Sequence, residues 1–115
     1  MNSNIPVCAV DYAFRRIGGK YKGRILWYIH EYKVLRFGEI RKHIKDITTK
    51  MLTQTLRELE NDGMVNRKVY PEVPPKVEYT LTETGAEIIP FINYLREWGK
   101  QQMEKENIPQ LIIHH

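Results

Sequence analysis

Apolar and polar positions alternate with helical spacing over residues 10–62, with strand spacing over residues 64–70 and 77–81, and with helical spacing again from residue 82 to about 104. A first helix is predicted over residues 10–17, and Gly18-Gly19 ends it because glycine readily takes the left-handed conformation that closes a helix. A second helix, over residues 20–32, has one apolar stripe facing the core. A short third helix is predicted from residues at near-helical spacing: Phe37, Ile40, Ile44 and Ile47.

The fourth predicted helix begins at Thr48, whose hydroxyl can accept a hydrogen bond from a free backbone amide, and it runs to about residue 62, before Gly63. One face turns to the core with Met51 or Leu52, Thr55 or Leu56, and Leu59. The opposite face is polar and holds Thr49, Lys50, Thr53, Gln54 and Arg57. These residue types, with Thr48, suit the base edges of a DNA major groove. An ordinary solvated surface is the alternative, because any exposed helix carries polar residues.

A β-hairpin is predicted next, because residues 64–70 and 77–81 alternate at the period of a strand. The connection PEVPP is stiff, since proline fixes φ and restricts the residue before it. Basic residues near this hairpin are candidates for contact with phosphates or the minor groove: Arg36, Arg67, Lys68 and Lys76. A basic hairpin edge also blocks edge-to-edge aggregation, so that explanation stays open.

The last predicted helix, residues 82 to about 104, has apolar residues on more than one face. They are Ile88, Ile89, Phe91, Ile92, Tyr94, Leu95 and Trp98. One small core cannot bury all of them, so a symmetric partner chain is expected and the protein is predicted to be a homodimer. Pro90 is predicted to kink this helix near Ala86 and Glu87. Residues 108–115 are predicted to form a flexible tail.

Charge is distributed unevenly along the 115 residues, whose formal net charge is +4. Residues 15–76 hold 15 Lys and Arg against 7 Asp and Glu, whereas residues 77–115 hold 3 against 6. The excess positive charge falls on the segment in which two short helices, a turn and a hairpin follow in the order of a helix-turn-helix with a wing. It favours a nucleic-acid partner or, alternatively, marks a solvated lysine-rich surface.

Other classes of protein find little support in the sequence. With 42% hydrophobic residues the chain can bury a core, and no apolar run approaches the roughly 18 residues of a membrane span. The four histidines, His30, His43, His114 and His115, show no metal-ligand spacing and no paired acid and base. No phosphate-binding glycine loop is present. We therefore expect neither an enzyme nor a metal or cofactor site. One cysteine and an N-terminus without a signal-peptide pattern favour the cytoplasm.

The chain resembles a known family over residues 8–99. The stretches that carry the likeness are IGGKYKGRILWYI at 17–29, RFGEI at 36–40, the segment from MLTQTLRELENDG to YTLTETG at 51–85, and LREWG at 95–99. They are similar to the HxlR-type winged-helix transcription regulators, which are in turn similar to the MarR group. The resemblance implies a mainly α fold with a small β-hairpin, a winged helix-turn-helix domain over residues 1–107, and dimerisation through the first and last helices. It also implies that the helix from Thr48 reads the major groove and that the wing, about 64–81, meets adjacent DNA. Where the family has tryptophan after GGK, this chain has Tyr21, which should alter packing but not the fold.

Cys8 matches a cysteine that members of this family commonly carry, and in some of them it senses oxidants or electrophiles. A reactive thiol needs a lowered pKa, and a position just ahead of the first predicted helix can supply it. The alternative is a small buried apolar residue, since free cysteine is among the most buried residue types.

The sequence therefore predicts a sequence-specific regulator that binds double-stranded DNA as a homodimer on an inverted-repeat operator. It is expected to respond to redox or electrophile stress or to a small effector. Two alternatives remain open: a winged-helix protein-interaction module without DNA binding, and a small-molecule sensor without DNA affinity. Salt-dependent binding to duplex DNA separates the first reading from both.

Overall fold

The computed structural model describes residues 5–111, which form six helices and three strands. The elements are α1 (Ala9–Ile17), α2 (Lys22–Tyr32), β1 (Leu35–Arg36), α3 (Phe37–His43), α4 (Thr49–Asn61), β2 (Val65–Tyr70), β3 (Lys76–Leu81), α5 (Glu83–Glu87) and α6 (Ile89–Lys105). The predicted fold class, mainly α with a small antiparallel sheet in the order of a winged helix-turn-helix, is confirmed. Dimerisation through the terminal helices stays a prediction, and so do the domain limits 1–107.

The core forms around α2, whose residues Ile25, Leu26 and Ile29 are fully buried. Ile40 of α3 and Leu52 and Leu59 of α4 pack into the same cluster, also without exposed surface. Each such side chain contributes about 1.5 to 3 kcal/mol by leaving water. The helix-turn-helix, α3 and α4, is therefore held as one unit against α2.

The sheet has the order β1-β3-β2, so the predicted hairpin carries one further short strand. In β1, Leu35 pairs with Tyr79 and Arg36 pairs with Glu78 of β3. Leu35 and Tyr79 are both buried, which ties the base of the hairpin to the core. The sequence did not predict β1, because two residues are too few to show the alternation of a strand.

Two predicted helix boundaries need correction. The third helix ends at His43, and Ile44 and Ile47 are buried from the turn that follows it. After α1, the left-handed residue is Gly19, with φ 82°, whereas Gly18 is extended. Gly18 is still required, because a Cβ there would collide with the carbonyl oxygen of Phe14. The predicted end of α4 is confirmed, with Gly63 at φ 72°.

The predicted single helix from residue 82 is wrong, because the chain forms two helices that meet at Ile88. Pro90 lies in the first turn of α6, where the amide hydrogen that proline lacks would have no helical partner. The proline therefore starts a helix here and does not bend one. Just past α6, the Ile108 amide donates to the Met103 carbonyl over 2.9 Å and caps the end of the helix. The flexible tail over residues 108–115 stays a prediction. Residues 112–115, with His114 and His115, lie outside the described residues.

Candidate nucleic-acid interface

The start of α4 is fixed by the predicted cap. The Thr48 hydroxyl accepts a hydrogen bond from the Met51 amide over 3.1 Å. The core face consists of Leu52, Thr55, Leu56 and Leu59, and Met51 is exposed. The hydroxyl of Thr55 donates to the Met51 carbonyl over 2.7 Å, which satisfies the one polar group that this face buries.

The opposite face of α4 turns outward, as predicted. Thr49, Lys50, Gln54 and Arg57 are exposed, and Lys50, Gln54 and Arg57 line a shallow depression together with Thr53. Thr53 itself is half-buried, and its hydroxyl donates to the Thr49 carbonyl over 2.9 Å. Lys50 and Arg57 form no ion pair with any residue between 5 and 111. Their N–H groups are therefore available to an anionic or hydrogen-bonding partner.

An ion pair that the sequence did not reveal anchors the turn before α4. The Arg24 guanidinium of α2 donates two hydrogen bonds to the Asp46 carboxylate, of 2.8 and 3.1 Å. The Lys20 ammonium lies 3.5 Å from the same carboxylate, and the Tyr21 hydroxyl donates to the Asp46 carbonyl over 3.2 Å. Hydrogen bonds from Arg24 hold the pKa of Asp46 well below its usual range, and Asp46 raises the pKa of Arg24. We call Lys20, Tyr21, Arg24 and Asp46 the turn clamp.

The clamp gives Tyr21 a defined role. At this position, where the family pattern has tryptophan, the tyrosine packs against the core and directs its hydroxyl to the turn between α3 and α4. Asp46 is 22 residues from Arg24 along the chain, so no local spacing predicts their pairing. The clamp links α2 to the beginning of α4, and so sets where the polar face of α4 lies.

The basic residues of the wing lie on two different faces of the sheet. The register pairs Lys68 with Glu78 and Arg67 with Tyr79, and neighbouring residues of a strand point to opposite faces. Lys68 and Lys76 therefore share the face of Glu78, whereas Arg67 is on the face that holds buried Tyr79. The alternation of side chains along a β-strand is enough to predict that Arg67 and Lys68 lie on opposite faces of the sheet.

The solvent face of the wing forms a small polar cluster around Tyr70. The Tyr70 hydroxyl donates to Glu78 over 2.9 Å, and the Lys76 ammonium lies 3.7 Å from the same carboxylate. The ammonium groups of Lys68 and Lys76 lie 4.9 and 4.4 Å from the Tyr70 ring centre. Lys76 is thus partly neutralised, whereas Lys68 forms no ion pair within the described residues.

Arg36 connects α3 to the wing. It precedes the first residue of α3, and its backbone amide donates to the Glu39 carboxylate over 2.8 Å. Because Arg36 pairs with Glu78 across β1 and β3, it belongs to the same sheet face as Lys68 and Lys76. Arg36 and Lys76 also line one depression beside the prolines of the wing tip. The structure thus brings three of the four predicted basic residues of this region together and separates Arg67 from them.

Cys8 lies at the N-terminus of α1 and is exposed. The backbone amides of Asp11 and Val10, in the first turn of α1, lower the pKa of the thiol. The alternative of a buried apolar cysteine is therefore wrong for this chain. A sensing role for Cys8 stays a prediction.

A second exposed surface is apolar and joins α1 to α6. The rings of Phe14 and Phe91 meet edge to face with centres 6.3 Å apart. Along α6, Leu95 is 39%, Trp98 55% and Tyr94 65% exposed. Large exposed apolar groups in one patch mark a surface for a partner. We call this the α1–α6 apolar surface: Phe14, Phe91, Tyr94, Leu95 and Trp98.

Comparison with known proteins gives close relatives. An uncharacterised HTH-type transcriptional regulator of Methanothermobacter thermautotrophicus is 54% identical over 100 residues, which cover 87% of this chain and 76% of that protein. The solved structure of the redox regulator HypR in its reduced form is 42% identical, with a TM-score of 0.82, and the match covers 87% of this chain and 98% of that one. The reduced form of the transcriptional regulator YodB from Bacillus subtilis is 36% identical, with a TM-score of 0.70, over 84% of this chain and 94% of that one.

The Methanothermobacter protein and YodB are named transcriptional regulators, a non-enzymatic role. Within residues 5–111 no helix is long and apolar enough to cross a membrane. The model of the HxlR-like helix-turn-helix family matches residues 16–107, from the end of α1 to just past α6. The chain belongs to the HxlR-like helix-turn-helix family of transcriptional regulators.

Proposed function

We propose that the protein is a homodimer that binds an inverted-repeat operator and inserts one α4 helix into each of two successive major grooves, about 34 Å apart. The outward face of α4 carries this proposal, because it presents the exposed side chains of Lys50, Gln54 and Arg57. Neither cation forms an ion pair with another residue of the described range 5–111. Arg and Lys donate to guanine, and Gln pairs with adenine. Thr48 and Thr49 at the helix N-terminus are suited to a phosphate, since free backbone amides point outward there.

The second subunit is proposed to cover the α1–α6 apolar surface. A patch that holds Trp98 and Tyr94 more than half exposed is costly in water, and a twofold axis lets one patch cover its own copy. Since α6 packs on α2, and α2 holds the turn clamp, such an interface would set the distance between the two α4 helices. A dimer with a twofold axis then requires a DNA site with the same twofold symmetry.

The wing is proposed to contact the DNA backbone beside each major groove. Its solvent face supplies Arg36, Lys68 and Lys76, and Arg67 extends from the other face. These contacts should fix the position of the protein on the duplex without reading its sequence. A regulator of this kind acts in the cytoplasm, where the DNA is.

Selection from a random duplex library tests the proposal. Bound sequences should converge on two half-sites related by a twofold axis, with centres about 10 to 10.5 base pairs apart. Affinity for a selected site should fall steeply with salt, because Lys and Arg displace condensed counterions from phosphates. A sequence without twofold symmetry would contradict the dimeric mode. Absence of salt-dependent binding would instead favour a protein-interaction module that acts without DNA.

Cys8 is proposed to make this regulator sensitive to oxidants. Its thiol is exposed, its pKa is lowered by two backbone amides, and the similar protein HypR is described as a redox regulator. The thiolate would attack hydrogen peroxide and break its O–O bond. Sulfur would gain one oxygen as a sulfenic acid and lose two electrons, and hydroxide would leave. The lowered thiol pKa should bring this reaction to neutral pH.

Peroxide treatment of the free protein, followed by DNA titration, tests the role of Cys8. Treated protein should bind the selected operator more weakly, and dithiothreitol should restore binding. The Cys8→Ser variant should bind the operator normally before and after treatment. If Cys8→Ser loses binding with peroxide just as the unmodified chain does, another group is the sensor.

A further inference from the structure

A cavity of about 370 Å³ lies between α2 and α6 and is separate from the α4 face and the wing. Its walls are mainly apolar and include Ile17, Trp27, Ile92 and Leu95. This volume lies in the range of small-molecule sites, which combine apolar walls with a few polar groups that orient the ligand. The cavity is therefore large enough for a molecule of one or two rings.

Three cations also line this cavity, Lys20, Arg24 and Arg96, and the described residues place no Asp or Glu on its wall. The Arg96 guanidinium lies over the Trp27 ring, 5.3 Å from its centre, so a flat aromatic surface and a positive charge meet at one point. Arg96 donates to Glu97 over 3.0 Å, and Arg24 and Lys20 contact Asp46. Neither Glu97 nor Asp46 lines the cavity itself.

We propose that this cavity binds an amphipathic organic anion, an aromatic carboxylate of one or two rings. The apolar body would pack on Trp27, Ile92 and Leu95, and the carboxylate would lie among Lys20, Arg24 and Arg96. Guanidinium groups bind carboxylates through two parallel hydrogen bonds, which favours an anion over a neutral ligand of the same shape. A purely apolar ligand would leave the three cations without a new partner.

The site has a direct connection to the turn before α4, because Lys20 and Arg24 line the cavity and also form the turn clamp. A bound carboxylate would compete with Asp46 for these two cations. Loss of the Asp46 contacts would free the turn and so alter the position of α4. The ligand would then lower DNA affinity, a consequence that rests on the proposed function, whereas binding of the anion does not.

Isothermal titration of the full chain without DNA tests the site, with 2-naphthoate as probe and neutral 2-naphthamide as its matched control. We expect 2-naphthoate to bind roughly tenfold more tightly than the amide. Arg96→Gln should weaken 2-naphthoate by roughly the same factor, whereas Lys100→Gln should leave its affinity unchanged. Lys100 is the right control because it contacts the same Glu97, at 3.8 Å, but does not line the cavity.

A second variant fills the cavity and leaves its charges in place. Gly23 lies in its wall, and a Cβ there meets nothing closer than the Ile17 carbonyl oxygen, at 3.7 Å. Gly23→Leu should therefore fold, since leucine favours a helix more than glycine does, and should abolish binding of 2-naphthoate. Circular dichroism confirms that the variant is folded.

Several results would overturn the proposal. The proposal is wrong if 2-naphthoate does not bind, or if 2-naphthoate and 2-naphthamide bind equally tightly. It is also wrong if Gly23→Leu binds 2-naphthoate as tightly as the unmodified chain does. DNA titration of the same samples keeps the two inferences apart. A chain that binds its operator but not 2-naphthoate retains the proposed function and lacks this site.

Discussion

Helices α4 and α6 bury similar stripes but expose opposite kinds of surface. In α4 the buried stripe holds Leu52, Leu56 and Leu59, and in α6 it holds Ile89 and Ile92. Away from the core, α4 is polar, with Lys50, Gln54 and Arg57 among its exposed residues, and α6 carries large apolar groups. Periodicity of the buried stripe predicts that both are helices of one core. Only the exposed face differs, and it indicates the partner of each helix.

The two exposed faces differ in what they require from a partner. A polar helix face is stable in water without DNA, because its charges are hydrated until phosphates or bases replace the water. The apolar face of α6 includes Trp98, which is 55% exposed. The free energy of the protein falls when another apolar surface covers this face. We therefore assign permanent association to α6 and reversible recognition to α4, and each assignment can be tested.

The largest effect is expected from a charge in the α1–α6 apolar surface. In the proposed dimer, Trp98→Asp would bury a carboxylate against the partner subunit, and loss of one aromatic anchor alone weakens interfaces by about 100-fold or more. Sedimentation equilibrium should show the variant as a monomer at concentrations where the unmodified chain is a dimer. Operator affinity should fall with it, since one subunit reaches only one half-site.

Asn93→Asp is the matched control for this change. It adds the same charge to an exposed position of the same helix, about 140° around the axis from Trp98. The control should remain dimeric. If both variants dissociate equally, general charge and not the apolar surface governs association; if neither does, the α1–α6 apolar surface is not the interface.

The outward face of α4 should give the next largest effect. Gln54→Ala and Arg57→Ala should each weaken specific binding by about 1 to 3 kcal/mol and relax the preference at one base pair in each half-site. Competition among single-base variants of the operator measures that preference. Glu60→Ala, at an exposed position near the end of α4, should leave it unchanged. A loss that is uniform over all sequences would mean that the residue contacts phosphate.

Sequence periodicity predicted α4 well because its features are local. The Thr48 cap, the stripe of leucines and Gly63 lie within one helix length, and each acts on its neighbours. The break at Ile88 does not follow from the sequence, because a proline at position 90 is compatible both with a kink inside one helix and with the first turn of a new helix. Strand β1 depends on the pairing of Leu35 and Arg36 with β3, a tertiary contact that local spacing does not predict.

Within the candidate site, the sequence predicts the polar face of α4 but not the turn clamp that holds the start of this helix. Residues at spacings of three and four lie on one side of a helix, so the face of Lys50, Gln54 and Arg57 could be predicted. The pairing of Arg24 with Asp46 depends on how α2 packs against the turn, which is a tertiary contact. Exposure of Cys8 is equally a property of the folded chain.

A smaller effect is expected from the turn clamp, which joins the two kinds of helix. Asp46→Asn removes the charge that Arg24 and Lys20 contact, and should weaken operator binding roughly 3- to 10-fold by loosening the turn before α4. Asp62→Asn is the control, because Asp62 also contacts an arginine, Arg16 at 3.9 Å, but follows the other end of α4. Equal losses in both variants would contradict a special role of the clamp.

Stability of the same variant against pH tests the ion pair itself. The pKa of Asp46 is lowered in the folded chain, so its contribution is complete above the unfolded pKa of about 3.9 and is lost as pH falls through the lower, folded pKa. The difference in Tm between the unmodified chain and Asp46→Asn should therefore be constant near neutral pH. It should shrink only below about pH 4. A difference that disappears at higher pH would refute the lowered pKa.

The smallest effect separates the two faces of the wing. Lys68→Ala should reduce the slope of log affinity against log salt by about 0.9, the change for one phosphate contact in duplex DNA. Lys76→Ala should change it less, because Glu78, 3.7 Å away, already neutralises part of that charge. Arg67 shares its face with the buried Tyr79, so Arg67→Ala should also have less effect than Lys68→Ala if the wing lies with its solvent face toward the duplex. If the salt slopes of Arg67→Ala and Lys68→Ala are equal, the hairpin enters a groove edge-on, and each of its faces contacts one phosphate backbone. The difference between these two slopes therefore distinguishes a wing that lies flat on the duplex from one inserted into a groove.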